Sequence, residues 1–427
     1  MSSATEKLLK LDDISSKRPR HEVTLENLSS DLSPSLFAKR KFSAYIHIPF
    51  CKHRCGYCDF NTYTNTNFGV GASVGDYVDS LCLEYDFAVE NLENSGVEVD
   101  EIDTVFFGGG TPTFLEASEL SRALEELSKR IPLSKNVEVT TEVNPETVDE
   151  NYISHLAENG FTRLSFGAQS GVDKVLKILD RQHDKEKIAP LIQCAKDKGL
   201  QTSVDLIYAT PGESVLDWEE SINYALKLDT DHISAYALLI HEGTKLGQDL
   251  KRGKIPAVDS DDEAVKYEII DNILAENGYR WYEISNWAKN DKVCRHNLAY
   301  WNSHNWWGFG CGAHSYVNAT RWSNLKHPRV YANRLANNQS PVYSKEILTE
   351  DTIYEEKLML EIRLREGIDL ENSCFYFADE QIEALKSAQY ILEEEYAKGK
   401  LVLSLKGRLM ADTVTQILWD SFSIRNI

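Results

Sequence analysis

The sequence predicts an α/β protein built as a barrel or partial barrel, with a small helix-rich part at its C-terminal end. Three observations predict it. Strand-like and helix-like stretches alternate from residue 42 to about 245. Polar or glycine residues stand at the end of almost every one of those strands. Beyond about residue 250 the alternation weakens, and an aromatic-rich block follows. Alternating strands and helices give a parallel sheet with right-handed crossovers. An open sheet would bind a ligand at one switch in strand order, whereas chemistry spread over many strand ends favours a barrel rim.

Residues 1–41 are polar, with few large apolar groups, and read as a mobile extension. SKRPRH within it could be a basic address signal. Glu6, Asp12, Asp13, Glu22 and Glu26 are wrong for a mitochondrial presequence, so cytoplasm is expected ahead of mitochondrion. SAYIHIPF then reads as a strand and runs directly into CKHRCGYC. A helix is expected around VGDYVDSLCLEYDFAVENL, a strand at DTVFFGGGTPT and a helix near SELSRALEELSKRI. VEVTTEVNPE, RLSFGAQS, QTSVDLIYATPGES and HISAYALLI are the next strands. NYISHLAENG, KEKIAPLIQCAKDKG and WEESINYALKL are the helices between them. The expected division is 42–250 for the barrel, 251–345 for the aromatic-rich extension and 346–427 for a helix-rich domain with a short hairpin.

The chain has 427 residues, of which 67 are acidic and 46 basic, for a formal charge of −21. That balance repels a phosphate backbone and argues against nucleic acid as a partner. No stretch approaches the roughly 18–20 apolar residues of a membrane span. Eight cysteines in a chain this long suggest a reducing compartment with thiols available for metals.

Cys51, Cys55 and Cys58 lie within eight positions, with no fourth cysteine close by. Three readings compete. A structural zinc site needs four ligands, the last from His47 or His53. Buried inert thiols are the plainest reading, though three on one strand-end loop argue against it. An iron–sulfur cluster with one open corner is the third and is favoured: three thiolates hold three irons, and the remaining iron takes an outside ligand. Gly56 lets backbone approach closely. Lys52, His53 and Arg54 place positive charge beside an anionic cluster.

CKHRCGYC resembles the CxxxCxxC signature of radical S-adenosylmethionine (SAM) enzymes. The resemblance implies a partial (βα)6 barrel and a [4Fe-4S] cluster on Cys51, Cys55 and Cys58. It also implies SAM on the open iron, an electron donor, and cleavage of SAM to methionine and a 5′-deoxyadenosyl radical. YIHIPFC, FFGGGTPT, TEVNPE, RLSFGAQS, LDRQHD and DLIYATPG narrow the resemblance. They point to the branch that contains oxygen-independent coproporphyrinogen III dehydrogenases and the HemW heme chaperones. Carried over by motif, Tyr45 and Tyr57 should line the SAM and cluster region. Gly109, Gly110 and Thr111 should contact SAM, and Glu142, Gln169, Arg181 and Asp205 should complete its polar contacts. For each of these the alternative is a core or rim hydrogen bond, and two glycines can equally mark a tight turn.

Two features separate members of the branch. The dehydrogenase resemblance calls for another cysteine where this chain has Phe60. Residues 296–301 read HNLAYW and match the HNxxYW motif associated with heme in the chaperone group, which makes His296 a candidate heme ligand. Tyr300, Trp301, Trp306, Trp307 and Phe309 offer flat apolar surface to a porphyrin. The alternative is an aromatic core with His296 satisfied by hydrogen bonds, and His304 and His314 are rival ligands. EKLMLEIRLREGIDL and KGRLMADTV resemble the accessory domain of the branch, which covers the barrel mouth or meets a partner. The expectation is a heme chaperone that passes heme to acceptor hemoproteins, with a homodimer as a further option. A coproporphyrinogen dehydrogenase, a radical SAM methyltransferase and a zinc scaffold are the alternatives.

Overall fold

The computed structural model describes residues 40–181, 184–420 and 423–424, the last pair by backbone alone. Nearly all of the expected N-terminal extension, with its basic segment, lies outside the described residues. So do Gln182 and His183 of LDRQHD. The principal strands, in chain order, are β1 (Phe42–Ile48), β2 (Ile102–Gly109), β3 (Leu133–Val143), β4 (Arg163–Gln169), β5 (Gln201–Tyr208), β6 (His232–Ala237), β7 (Arg280–Glu283), β8 (Asn286–Ala288), β9 (Asn305–Phe309), β10 (His314–Val317), β11 (Thr320–Asn324) and β12 (Val342–Ile347). The chain divides into two compact units. One holds residues up to 53 with 60–137 and 305–348, and the other holds 54–59, 138–304 and 349–427.

In the first unit the strand order is β12-β11-β10-β9-β1-β2. β1 lies parallel to both β2 and β9, and β9 to β12 run antiparallel. Every residue of β1 except Tyr45 is buried, as expected of a parallel strand covered on both faces. The helix Tyr77–Asn94 lays Tyr77, Leu81, Tyr85 and Ala88 along one stripe. Tyr85 meets Phe309 of β9 edge-on at 4.8 Å, and Tyr77 meets Phe50 at 5.3 Å.

In the second unit the order is β3-β4-β5-β6-β8-β7, with residues 138–143 of β3 on this side of the division. β3 to β6 are parallel, and the β7–β8 hairpin adds two antiparallel strands. The connecting helices begin where the sequence provides caps. Asp149 accepts from Tyr152 N, and Ser214 and Asp217 form a reciprocal capping box ahead of Val215–Leu228. The aromatic-rich block supplies strands to both units. The short hairpin expected near the C-terminus is not one: Lys400–Leu401 pairs with the distant Ile368–Asp369, and LKGRL after it is helical. Local apolar pattern showed a strand there but could not choose its partner. KGRLMADTV is tied into the second unit through Arg408. Its guanidinium donates to Asp271 at 2.8 and 2.5 Å and lies over Trp281 at 4.3 Å.

Candidate cofactor site

The first unit contributes Cys51 and the glycine turn. β1 runs through Pro49 and Phe50 to Cys51. Tyr63 pins this stretch, its N–H donating to Pro49 O at 2.7 Å and its carbonyl accepting from Cys51 N at 3.0 Å. The turn after β2 is zipped along the same stretch: Gly110 N donates to Ile48 O at 2.8 Å and Thr111 N to Phe50 O at 2.9 Å. Thr111 Oγ1 thereby comes 3.5 Å from Cys51 Sγ. A Cβ on Gly109 would lie 2.4 Å from the His47 ring, at a φ of 109°. One on Gly110 would lie 2.8 Å from two backbone oxygens. Close packing against β1 therefore requires both glycines.

His47 explains the space left by Gly109. Its Nε2 is 2.9 Å from Asn61 O, which can only accept, so Nε2 carries the proton. Nδ1 then accepts from the Tyr45 hydroxyl at 3.1 Å. Burial pushes the imidazole down to about 4, so it stays neutral. Both ring nitrogens are engaged, and the zinc reading loses His47 as a fourth ligand. His53 is exposed. Tyr45 is half-buried and stacks on Phe106 at 6.3 Å.

Cys55 and Cys58 belong to the second unit. Gly56 N donates to Leu179 O at 3.1 Å, and Leu246 N donates to Gly56 O at 2.9 Å. Cys58 N closes a turn on Cys55 O at 3.2 Å. The Tyr57 ring packs on Val175, Leu179, Ile207, Leu238 and Leu246. Burial raises its phenol well above the usual range, against the opposing charge of Arg181. Arg181 donates from Nη1 to Cys55 Sγ at 3.5 Å and from Nη2 to Gly167 O at 3.3 Å.

Gln169, Arg181 and Asp205 share one neighbourhood of this unit. The β4–β5 register slips between Gly167 and Gln169, and Gln169 has a φ of 67°. This bulge re-aims its side chain. A Cβ on Gly167 would meet Gln169 Nε2 at 2.8 Å and Arg181 Nη2 at 3.0 Å, so that glycine makes room for both. Ser165 Oγ lies 3.1 Å from each Asp205 oxygen. Burial pushes Asp205 up to about 6, while hydrogen bonds from Ser234 and Ser165 and the charge of Arg181 pull the other way. Glu142 is half-buried and stands in register with Ser165.

His296 is 1% exposed, and its Nε2 lies 2.8 Å from the Tyr300 hydroxyl. Burial lowers its pKa to about 3. It sits in the first turn of helix Arg295–Trp301, whose N-terminus is held by Glu138. That carboxylate accepts from Arg295 N at 3.1 Å and His296 N at 3.0 Å. Arg163, also 1% exposed, fixes the preceding loop through Lys292 O and Val293 O, each at 2.8 Å. Sequence reasoning missed Glu138 and Arg163. Their only signal was a charge inside an apolar strand, the same signal that singled out Glu142.

Thiols are the donors that an iron–sulfur cluster takes. None of the eight cysteines is in a disulfide, and Cys51 and Cys55 each have a donor facing sulfur. Hydrogen bonds to thiolate sulfur are one of the protein's controls over cluster potential. Among the described residues no three Cys, His, Asp or Glu side chains gather closely enough to share one metal ion. Thiolates on separate irons of a cluster are under no such demand.

Residues 45–225 match the model of the radical SAM superfamily. The chain is 39% identical over 378 residues to the heme chaperone HemW of Mycobacterium tuberculosis, covering 88% of this chain and 94% of that protein. It is 34% identical to HemW of Bacillus subtilis, covering 76% and 84%. It is 32% identical to the mitochondrial radical S-adenosyl methionine domain-containing protein 1 of Danio rerio, covering 81% and 78%. Among solved structures, the coproporphyrinogen III oxidase HemN of Escherichia coli superposes with a TM-score of 0.74. It has 20% identity and covers 96% of this chain and 98% of that one, a likeness of fold.

Proposed function

The chain belongs to the radical SAM superfamily, among its HemW-type members, and on that premise we propose that it is a heme chaperone. In this reading it holds a [4Fe-4S] cluster, SAM and heme, and delivers heme to acceptor hemoproteins. The observation that carries the reading is likeness to a HemW protein over 94% of its length, joined to an exposed aromatic, Phe60 at 59%, where the dehydrogenases would have a further cysteine.

Cys51, Cys55 and Cys58 are the proposed cluster ligands. When bound, the cluster supplies an iron with an open position for the amino and carboxylate groups of SAM. Thr111 donates to Cys51 Sγ and Arg181 to Cys55 Sγ, and Arg181 sets a fixed positive charge beside Cys55. Gly109 and Gly110 hold backbone against β1 and keep side chains out of the space beside it. Tyr45 has its proton committed to His47, so its oxygen presents lone pairs to a donor such as an ammonium group. Glu142, Asp205 and Gln169 are the proposed acceptors and donors for the rest of SAM, and Tyr57 backs the loop from the apolar side. His296 is the motif's heme contact, and at 1% exposure its ring must be uncovered before it can ligate iron.

No helix among the described residues is long and apolar enough to cross a membrane. We place the protein in the cytoplasm first and the mitochondrion second, with an electron donor and a hemoprotein acceptor as partners. Anaerobic reconstitution followed by heme titration and a coproporphyrinogen III assay on one sample tests the whole reading. The expected outcome is a heme absorption band with no protoporphyrinogen IX formed. Turnover without heme binding would replace the chaperone by the dehydrogenase, and Cys51→Ala should abolish the cluster.

A further inference from the structure

The first unit carries an aromatic wall that shares Tyr45 with the proposed SAM site and extends beyond it over β9 and β10. Strands β10, β9, β1 and β2 are adjacent, and each is largely buried. Tyr45 on β1 pairs with Phe106 on β2, and Trp306 on β9 pairs with Tyr316 on β10. Tyr45 also pairs with Gly308, two positions beyond Trp306, which puts Tyr45 and Trp306 on one face of the sheet. Within each pair the rings lie side by side: Trp306 and Tyr316 are 5.2 Å apart and tilted by 30°, and Tyr45 and Phe106 are stacked 6.3 Å apart at 22°. Tyr45, Phe106 and Trp306 are half-buried rather than sealed in the core. Four strands at about 4.8 Å spacing span ~14 Å, enough to seat a macrocycle.

His314 stands on this same face, two residues before Tyr316. It is exposed, and its ring makes no hydrogen bond among the described residues. Its carbonyl accepts from Trp306 Nε1 at 3.1 Å. A Cβ on Gly308 would lie 2.0 Å from that carbonyl, so the glycine lets the start of β10 fold tightly over β9. Desolvation, with the charge of Lys326, lowers the pKa of His314, which favours the neutral imidazole that ligates iron. Arg40 donates to the Tyr316 hydroxyl at 3.1 Å and lies over its ring at 5.7 Å, which brings a guanidinium to the edge of the wall. His296 offers a contrasting environment, buried and hydrogen-bonded.

We propose that this wall is the face on which heme rests, with His314 supplying an axial imidazole to the iron and Arg40 facing a propionate. The inference rests on the chaperone reading and deepens it: His314 is the imidazole that heme meets without any rearrangement, ahead of the buried motif histidine.

The test titrates hemin and, separately, metal-free protoporphyrin IX into the reconstituted full chain. The proteins are wild type, His314→Ala, His314→Gln, Trp306→Ala and His296→Ala, with cluster content measured in each. Loss of the imidazole should weaken hemin binding by about tenfold or more. The imidazole-ligated absorption signature should vanish and return on adding free imidazole. Metal-free porphyrin should bind His314→Ala as it binds wild type, and bind Trp306→Ala more weakly. An unchanged hemin affinity and spectrum in both His314 variants would overturn the assignment and leave the chaperone reading standing. A wild-type protein that binds no hemin would remove both.

Discussion

Gly109→Ala separates a glycine needed for its backbone from one needed for its size. Gly69 is its natural control: it lies in the same unit, has a φ of 101° against 109°, and would place its Cβ more than 4 Å from any neighbour. Forcing either residue's replacement into that region costs about 1–3 kcal/mol of backbone strain. Gly109 adds a Cβ 2.4 Å from the His47 ring, which is locked between Tyr45 and Asn61. Overpacking of that kind adds ~1–3 kcal/mol. At ~2–4 °C per kcal/mol for a unit of this size, Gly109→Ala should melt roughly 2–12 °C below Gly69→Ala. The clash would also push the turn off β1 and weaken the bonds from Gly110 N, Thr111 N and Thr111 Oγ1. Scanning calorimetry and iron content after anaerobic reconstitution measure the two effects. Equal melting temperatures and equal iron content in the two variants would refute the steric account of Gly109.

Arg408→Met strands the Asp271 carboxylate in a nearly closed site. It should lower the opening free energy of the segment around Leu405–Leu409 by ~3–5 kcal/mol, read by hydrogen exchange. Adding Asp271→Asn should recover part of that loss, since no buried charge then remains. His296 and His47 are held near about 3 and 4, below the ordinary 6.5, so the unfolded chain takes up these protons first as pH falls. The stability they confer is complete above about 6.5, erodes below it and is exhausted by about 3. His296→Gln should flatten the acid limb of a urea-unfolding series, by on the order of several kcal/mol across that window. Arg181→Met removes a guanidinium from Cys55 Sγ and should make the cluster harder to reduce, a negative shift read by redox titration monitored by electron paramagnetic resonance.

What depends on neighbours along the chain was legible in the residues alone. The alternation of VEVTTEV, NYISHLA and RLSFGAQ set the order of strands and helices. The cysteine spacing put three thiols on one strand-end loop. Phe60 and HNLAYW placed the chain within its branch. Tertiary structure alone decided what depends on partners far away in the chain. It showed that Gly109 is small because of His47, that Gly167 is small because of Gln169 and Arg181, and that Arg181 faces a cysteine as well as a backbone carbonyl. It buried His296 on Tyr300 and left His314 exposed on an aromatic wall, a difference no local pattern records. The physical reason is that propensity and periodicity act over a few residues. Burial, register and the protonation state of a ring are set by whichever strands and helices close around it.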